Sequence, residues 1–235
     1  MTDQLTSDLL EMLAVMRTAE RDIFGALPAD VRERPIREGD WSPKDHLAHL
    51  SAWKGRQADR LAAARTSKEL DEWQGEEDEI NARLQAERGS WSWDETVADA
   101  DAAHERLVAE VGAIDAALLR KGERGLVDGL YGNGIFHAQQ HFSWLQVADI
   151  GLDDGRVMQF AEDIERLVRR AELPDRDRGT AIYNTACFLS MAGRVDRARP
   201  LLREAFALRP ELLEWARQDS DLDSLRGELD ELAAR

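Results

Sequence analysis

Apolar residues recur every three or four positions along much of this chain, and this spacing constrains its fold more than any other feature. The stretch from Asp3 to Ala26 shows it in an apolar stripe made of Leu5, Leu9, Met12, Met16 and Ile23. Such a stripe predicts an amphipathic helix with one buried face. Helix-forming residues dominate, and strand-like alternation of valine, isoleucine and threonine is absent, so we predict an all-α protein.

Local start signals predict further helices in the first 150 residues. Ser42 with Asp45, and Ser92 with Glu95, have the spacing of a capping box, in which each side chain bonds the other residue's backbone amide. They predict helices that begin at residues 43 and 93, and another apolar stripe predicts a helix through residues 130–148. Together with the N-terminal helix, these form the pattern of a four-helix bundle.

A glycine- and aspartate-rich break at residues 151–155 predicts a boundary between two domains, 1–150 and 151–235. Three helices are expected after it, near residues 156–172, 179–192 and 195–208. Residues 179–228 resemble the tetratricopeptide (TPR) units found at the ends of bacterial chains, with matching positions at Ala198, Leu202, Ala205 and Pro210. One repeat cannot bury its own apolar face, so it is expected to stack on the preceding helix, the bundle or a protein partner.

Charge and composition narrow the choice of partners. The chain has 31 basic and 47 acidic residues, a net charge of −16, which repels phosphate backbones and anionic lipids. No apolar run reaches the roughly 18–20 residues that span a membrane. We therefore expect no nucleic-acid partner and no membrane association. The N-terminus lacks the pattern of a signal peptide, and Cys187 is the only cysteine, so a cytoplasmic location is expected.

Histidines provide the strongest functional signal. His137 and His141 are four residues apart, which places them on one face of a helix where they can share a metal ion. His46 and His49 fall on the inward stripe of another helix. Because uncompensated imidazoles inside a bundle are costly, a metal ion would satisfy several of them together. Three neutral imidazoles would leave one coordination position open, as in catalytic zinc sites.

Three segments resemble motifs of the DinB-like superfamily, in the same order along the chain. They are GDWSPKDHLAHLSAWKGR, DEINARLQAERGSWSWDETVADADAAHERL and LYGNGIFHAQQHFSWL. The resemblance covers residues 5–150 and is greatest to the ClbS/DfsB branch of these four-helix bundles. It implies a metal triad of His49, His137 and His141. His46 is the rival of His49 for the first of these positions.

Other residues are candidates for a pocket beside this triad. Trp53 and Trp144 lie one helical turn from proposed ligands, and core packing is the alternative role for both. Tyr131 and Gln140 are polar residues that would orient a substrate. His104 fits either the core or a hydrogen bond to a ligand. We expect Cys187 to be buried and inert, and no side chain is assigned as a catalytic residue.

The resemblance implies a metal-dependent enzyme that modifies or detoxifies a reactive electrophile. Relatives include thiol transferases, a mycothiol-linked maleylpyruvate isomerase and a protein that hydrolyses the genotoxin colibactin. A hydrolase or a thiol S-transferase is therefore implied, with a divalent ion (zinc first, nickel or iron as alternatives) and a low-molecular-weight thiol as cofactors. One alternative is a non-catalytic module that sequesters a small molecule or docks a protein through the TPR-like helices. Another is a scaffold with a vestigial site.

Overall fold

The computed structural model describes residues 3–36, 41–120, 126–147, 154–170 and 173–234, and within these ranges the chain forms helices and no strands. The predicted all-α class is confirmed. The helices are α1 (Gln4–Gly25), α2 (Pro43–Thr66), α3 (Glu77–Arg88), α4 (Trp93–Ala113), α5 (Ala116–Leu119), α6 (Leu126–Gly129), α7 (His137–Val147), α8 (Asp154–Arg170), α9 (Asp175–Met191), α10 (Val195–Leu208), α11 (Leu212–Ala216) and α12 (Leu229–Ala233). A π-helix (Leu130–Phe136) precedes α7, and a 3₁₀ segment (Ser220–Glu228) precedes α12.

The chain divides into two compact units. The first consists of Met1–Arg17 and Leu27–His137, and the second of Thr18–Ala26 and Ala138–Arg235. The three cuts between them fall inside α1, directly after α1 and at the start of α7. The predicted break at residues 151–155 lies largely outside the described residues, so the division into domains 1–150 and 151–235 stays a prediction. None of the described helices is both long and apolar enough to cross a membrane.

Both predicted capping boxes are present in the first unit. The Ser42 amide donates to Asp45 Oδ2 at 2.9 Å, and the Asp45 amide donates to Ser42 Oγ at 3.2 Å. The Ser92 amide donates to Glu95 Oε2 at 2.7 Å, and the Glu95 amide returns a bond to Ser92 Oγ at 3.2 Å. These bonds satisfy amides that a helix cannot satisfy itself. They fix the first residues of α2 and α4, as the sequence predicted.

Helix α2 is the central element of the first unit. It packs along α4 and also contacts α3 and the π-helix. At its start, the buried Lys44 extends its Nζ to the carbonyl oxygens of Gly89 (3.2 Å) and Trp91 (2.7 Å), in the turn between α3 and α4. Leu50, Leu61, Leu107 and Val111 are almost fully buried in the core. This packing holds α2 in place along the length that carries the histidines.

The π-helix is a feature that the sequence did not predict. Gly134 lies within it, and a Cβ atom at this position would be 2.8 Å from Leu130 Cδ1 and 3.2 Å from Leu107 Cδ2. Glycine therefore permits the wide turn to pack against α4. The His137 amide donates to the Gly132 carbonyl, five residues back, and ends the segment. Such π-turns shift the register of the residues that follow, and they are frequent at functional sites.

Phenylalanine side chains form part of the core of the second unit. Phe142 contacts Phe24 with ring centroids 6.2 Å apart and Phe160 at 5.1 Å, and Phe160 contacts Phe188 at 5.5 Å. All are edge-on contacts, the arrangement that aromatic rings prefer. In addition, Gln139 Nε2 donates to Thr185 Oγ1 at 3.0 Å between two buried side chains. These ring contacts and this hydrogen bond connect the end of α1 with α7, α8 and α9.

Helices α9 and α10 pack closely against each other. Between them the chain reverses at Gly193, which has a φ of +71°. A Cβ atom at Gly179 would lie 3.0 Å from Arg209 Cβ and 3.3 Å from Leu208 Cβ, which are tight contacts. Glycine at this position therefore allows the approach of the two chain segments.

We expect Gly179→Ala to lower the free energy of unfolding by about 1–3 kcal/mol through overpacking. Gly112→Ala is the matched control, because Gly112 is also inside a helix but has nothing within 4 Å of the added methyl group. The control should be neutral or stabilising by up to about 1 kcal/mol. Chemical denaturation measures both changes, and equal effects would show that the crowding at Gly179 is of no consequence.

Candidate metal centre

Three histidines come together at one place. One ring nitrogen from each of His49, His137 and His141 lies within 4.8 Å of the others. His49 Nε2 is 3.2 Å from His137 Nε2. His49 and His141 are buried and His137 is half-buried. Within the described residues, His46 and His104 belong to no such group.

Local structure explains how each histidine is held. The capping box at Ser42 fixes the start of α2, so His49 lies two turns into a rigid helix. His137 is the first residue of α7, directly after the π-helix, and His141 follows one turn later on the same face. Rigid helices hold ligands more accurately than loops do.

Burial keeps His49 neutral. Desolvation, and after it the neighbouring His137 and His46, lower the pKa of His49 from 6.5 to about 3. A metal ion binds only the neutral imidazole, so this residue loses no proton when an ion binds near neutral pH. The same environment makes a positive charge on this ring costly when no ion is present.

Aromatic rings surround the pair formed by His49 and His137. The Trp41 ring is centred 4.8 Å from the His49 ring, and the Trp53 ring is 6.2 Å from both histidine rings. Trp73 packs edge-on against Trp53 at 5.1 Å. Trp53 Nε1 donates to Asn81 Oδ1 at 3.2 Å, which orients its ring. These rings make the surroundings of the two imidazoles mainly apolar.

A salt bridge holds part of this aromatic wall. Arg56 Nη2 bonds Glu72 Oε2 at 2.8 Å, and its guanidinium carbon lies 5.2 Å from the Trp73 ring centre. Arg60 bonds the same carboxylate at 2.9 Å. The two arginines lower the pKa of Glu72 through hydrogen bonds that stabilise its charge. Their bonds place the loop that carries Trp73 over α2.

A small cavity lies beside His49 in the first unit. Its volume is about 10 Å³, and its lining includes Trp41, Asn81 and Leu84. That volume holds about one water molecule.

The predicted pocket residues lie in different places. Trp53 is near His49 and His137, and Tyr131 is buried, with its ring stacked on Phe136 at 6.0 Å. Trp144 is 43% exposed and lies 4.8 Å from the His141 ring, while Gln140 is exposed. Gln140 and Trp144 line a separate cavity in the second unit. Their role as a common substrate pocket stays a prediction.

Sequence reasoning missed Trp41. It lies directly before the Ser42 cap, and its ring contacts both His46 (5.5 Å) and His49 (4.8 Å). A tryptophan next to a capping box has no helical periodicity, so no pattern assigned it to the interior. Its place within the GDWSPKD motif is the signal that was available.

The three residues fit a divalent ion. Two nitrogens that share a tetrahedral zinc ion at about 2.0–2.1 Å are separated by about 3.3 Å, close to the 3.2 Å between His49 and His137. A hydrogen bond between the two rings would give a similar distance. The third imidazole, from His141, favours a shared ion, because three converging nitrogens form a ligand set.

The low pKa of His49 predicts acid sensitivity in the metal-free protein. Its folded-state value of about 3 is below the unfolded value of 6.5, so the folded state resists protonation. Stability should fall as the pH decreases from about 6.5 towards 3, by up to about 4 kcal/mol from this residue. His49→Asn should reduce this dependence. Denaturation across this pH range tests it, and parallel curves for the two proteins would contradict it.

Comparisons with known proteins agree with this architecture. The family model of the DinB superfamily matches residues 12–145, which is more than half of the chain and includes all three histidines. A search of the curated proteins and a search of the solved structures each found no match. The all-helical fold and the histidine group, which can bind a metal ion, are consistent with this match. The chain therefore belongs to the DinB superfamily.

Proposed function

We propose that this protein is a metal-dependent enzyme that modifies or detoxifies a reactive small molecule. The observation that carries this proposal is the convergence of three imidazole nitrogens within 4.8 Å. Three protein ligands leave a coordination position for a reactant, which distinguishes catalytic from structural zinc sites. We propose zinc as the ion, with nickel and iron as alternatives, because imidazole suits all three.

The chain's own residues would prepare this site for chemistry. His49, His137 and His141 would hold the ion, whose Lewis acidity makes a water molecule or a thiol more acidic when it is bound. The apolar environment of Trp41 and Trp53 strengthens electrostatic interactions in the site by excluding water. It also favours a substrate with an apolar body.

We further propose that the chain belongs to the ClbS/DfsB branch and that its reaction is hydrolysis or thiol addition. The three motifs quoted above support this branch. A low-molecular-weight thiol is then the second reactant, and a strained or unsaturated electrophile is the substrate. The net charge of −16 argues against polyanionic substrates. A cytoplasmic location is part of this proposal and agrees with the single buried cysteine.

A second candidate is a sequestering module that docks a protein through a TPR-like unit. The packed pair α9–α10, with its turn at Gly193, favours it. Ala198 and Leu202 are fully buried, as the second helix of such a unit requires. Turnover distinguishes the two functions, because a sequestering module binds its ligand without forming a product.

We expect His49→Ala, His137→Ala and His141→Ala each to remove most of the bound metal. His46→Ala is the matched control, since His46 is buried in the same helix, three residues before His49. Elemental analysis after loading with zinc measures occupancy, and circular dichroism checks that each variant is folded. Loss of metal in His46→Ala but not in His49→Ala would reverse the ligand assignment, and no stoichiometric metal in the unmodified protein would refute the site.

We expect slow, metal-dependent turnover of epoxides, cyclopropanes or enones, with or without a small thiol. Chelation and His137→Ala should both abolish it, because each removes the source of activation. The assay is chromatographic detection of product from a panel of such electrophiles. Unchanged product formation by His137→Ala would contradict metal-centred chemistry, and binding without turnover would favour the sequestering module.

A further inference from the structure

The second unit contains a cavity of its own, with a volume of about 470 Å³. Residues from α7, α9, α11 and the 3₁₀ segment line it, and the lining includes no member of the histidine triad. Its size is within the range of small-molecule sites, about 300–1,000 Å³.

Two tryptophans on its wall are exposed to solvent. Trp144 is 43% exposed and Trp215 is 72% exposed, and among the described residues they are the large apolar side chains that remain exposed. Both line this one cavity. Large apolar side chains that face solvent in a concave site mark a binding surface. Their indole faces also attract cations.

Two carboxylates lie in the same cavity. Asp219 Oδ2 accepts a hydrogen bond from the Tyr183 hydroxyl at 2.7 Å and a weaker contact from Cys187 Sγ at 3.6 Å. Asp221 is half-buried, and the described residues give its carboxylate no hydrogen bond and no ion pair. Burial, and after it the charges of Asp219 and Asp223, raise the pKa of Asp221 to about 6. A partly buried carboxylate of this kind is costly unless a cation neutralises it.

The cavity supplies no such cation itself. Among the described lining residues, Arg209 is the one basic side chain, and its Nε donates to Glu211 Oε1 at 2.9 Å while its Nη1 donates to Thr180 Oγ1. Its charge is therefore already paired. The cavity therefore combines the carboxylates of Asp219 and Asp221 with two indole rings.

We propose that this cavity binds an organic cation, an ammonium or guanidinium group on an apolar body, with Asp221 as its counter-charge and Trp144 and Trp215 as its aromatic contacts. The carboxylates would repel an anion. A neutral ligand would provide no positive charge to neutralise the carboxylate of Asp221. The cation is carried either by a small amine or by a lysine or arginine side chain of a peptide. This binding requires no metal, and Trp144 is the residue of the cavity whose ring also contacts His141, at 4.8 Å.

The test uses three probes of matched shape on the full chain without metal: 4-phenylbutylamine, 4-phenylbutan-1-ol and 4-phenylbutyrate. Isothermal titration calorimetry measures affinity, and tryptophan fluorescence reports contact with the indoles. We expect the amine to bind at least about tenfold more tightly than the alcohol, and the carboxylate not to bind. A capped Ala-Lys-Ala peptide distinguishes a small amine from a peptide side chain as the natural source of the cation. If the peptide binds more tightly than the amine, the ligand is a peptide. If it binds more weakly, the ligand is a small molecule.

Substitutions in the lining test whether the amine binds in this cavity. Asp221→Asn should weaken binding of the amine about tenfold, and Trp215→Ala by about threefold to tenfold. Asp223→Asn is the matched control, because it makes the same charge change two residues away, at an exposed residue outside the lining. Equal losses in Asp221→Asn and Asp223→Asn would indicate non-specific attraction and overturn the proposal. So would equal affinity for the amine and the alcohol, or no binding of the amine up to roughly 10 mM.

Discussion

The approach of His49 to His137 is the constraint on which the candidate site depends. Their ring nitrogens are 3.2 Å apart in a largely apolar environment, where a second positive charge would be strongly unfavourable. Two neutral imidazoles at this distance either bond each other or share a cation. His141, one turn along α7, adds a third nitrogen and favours the cation. The proposed metal chemistry follows from this arrangement.

Several parts of the first unit hold His49 and His137 in place. The capping box of Ser42 and Asp45 and the buried Lys44 fix the start of α2, which carries His49. The π-helix that ends at Phe136 sets the register of α7, and Gly134 is the small residue that lets it pack. Trp41 packs against the ring of His49, and Trp53 packs against the ring of His137. The desolvation of His49 affects both function and stability. It keeps the imidazole neutral and able to bind a metal ion, and it makes the metal-free protein sensitive to acid.

Features set by local sequence were predictable, and those set by tertiary packing were not. The starts of α2 and α4 followed from Ser42–Asp45 and Ser92–Glu95, because a capping box involves only four consecutive residues. The π-helix was missed because it depends on how Gly134 fits against Leu107, which is distant in sequence. The grouping of His49 with His137 and His141 came from a family resemblance, since spacing alone could not decide between His46 and His49. The cavity containing Trp215 and Asp221 was not predicted, because its lining comes from separate elements that share no periodic pattern.

X-ray absorption spectroscopy at the zinc edge of the zinc-loaded protein tests whether the three histidines bind one ion. Imidazole ligands give a characteristic multiple-scattering pattern from the ring atoms beyond the coordinated nitrogen. We expect three imidazoles for each zinc ion, at about 2.0–2.1 Å, and an unchanged spectrum in His46→Ala. A spectrum with only oxygen ligands, with sulfur, or with fewer than three imidazoles would contradict it.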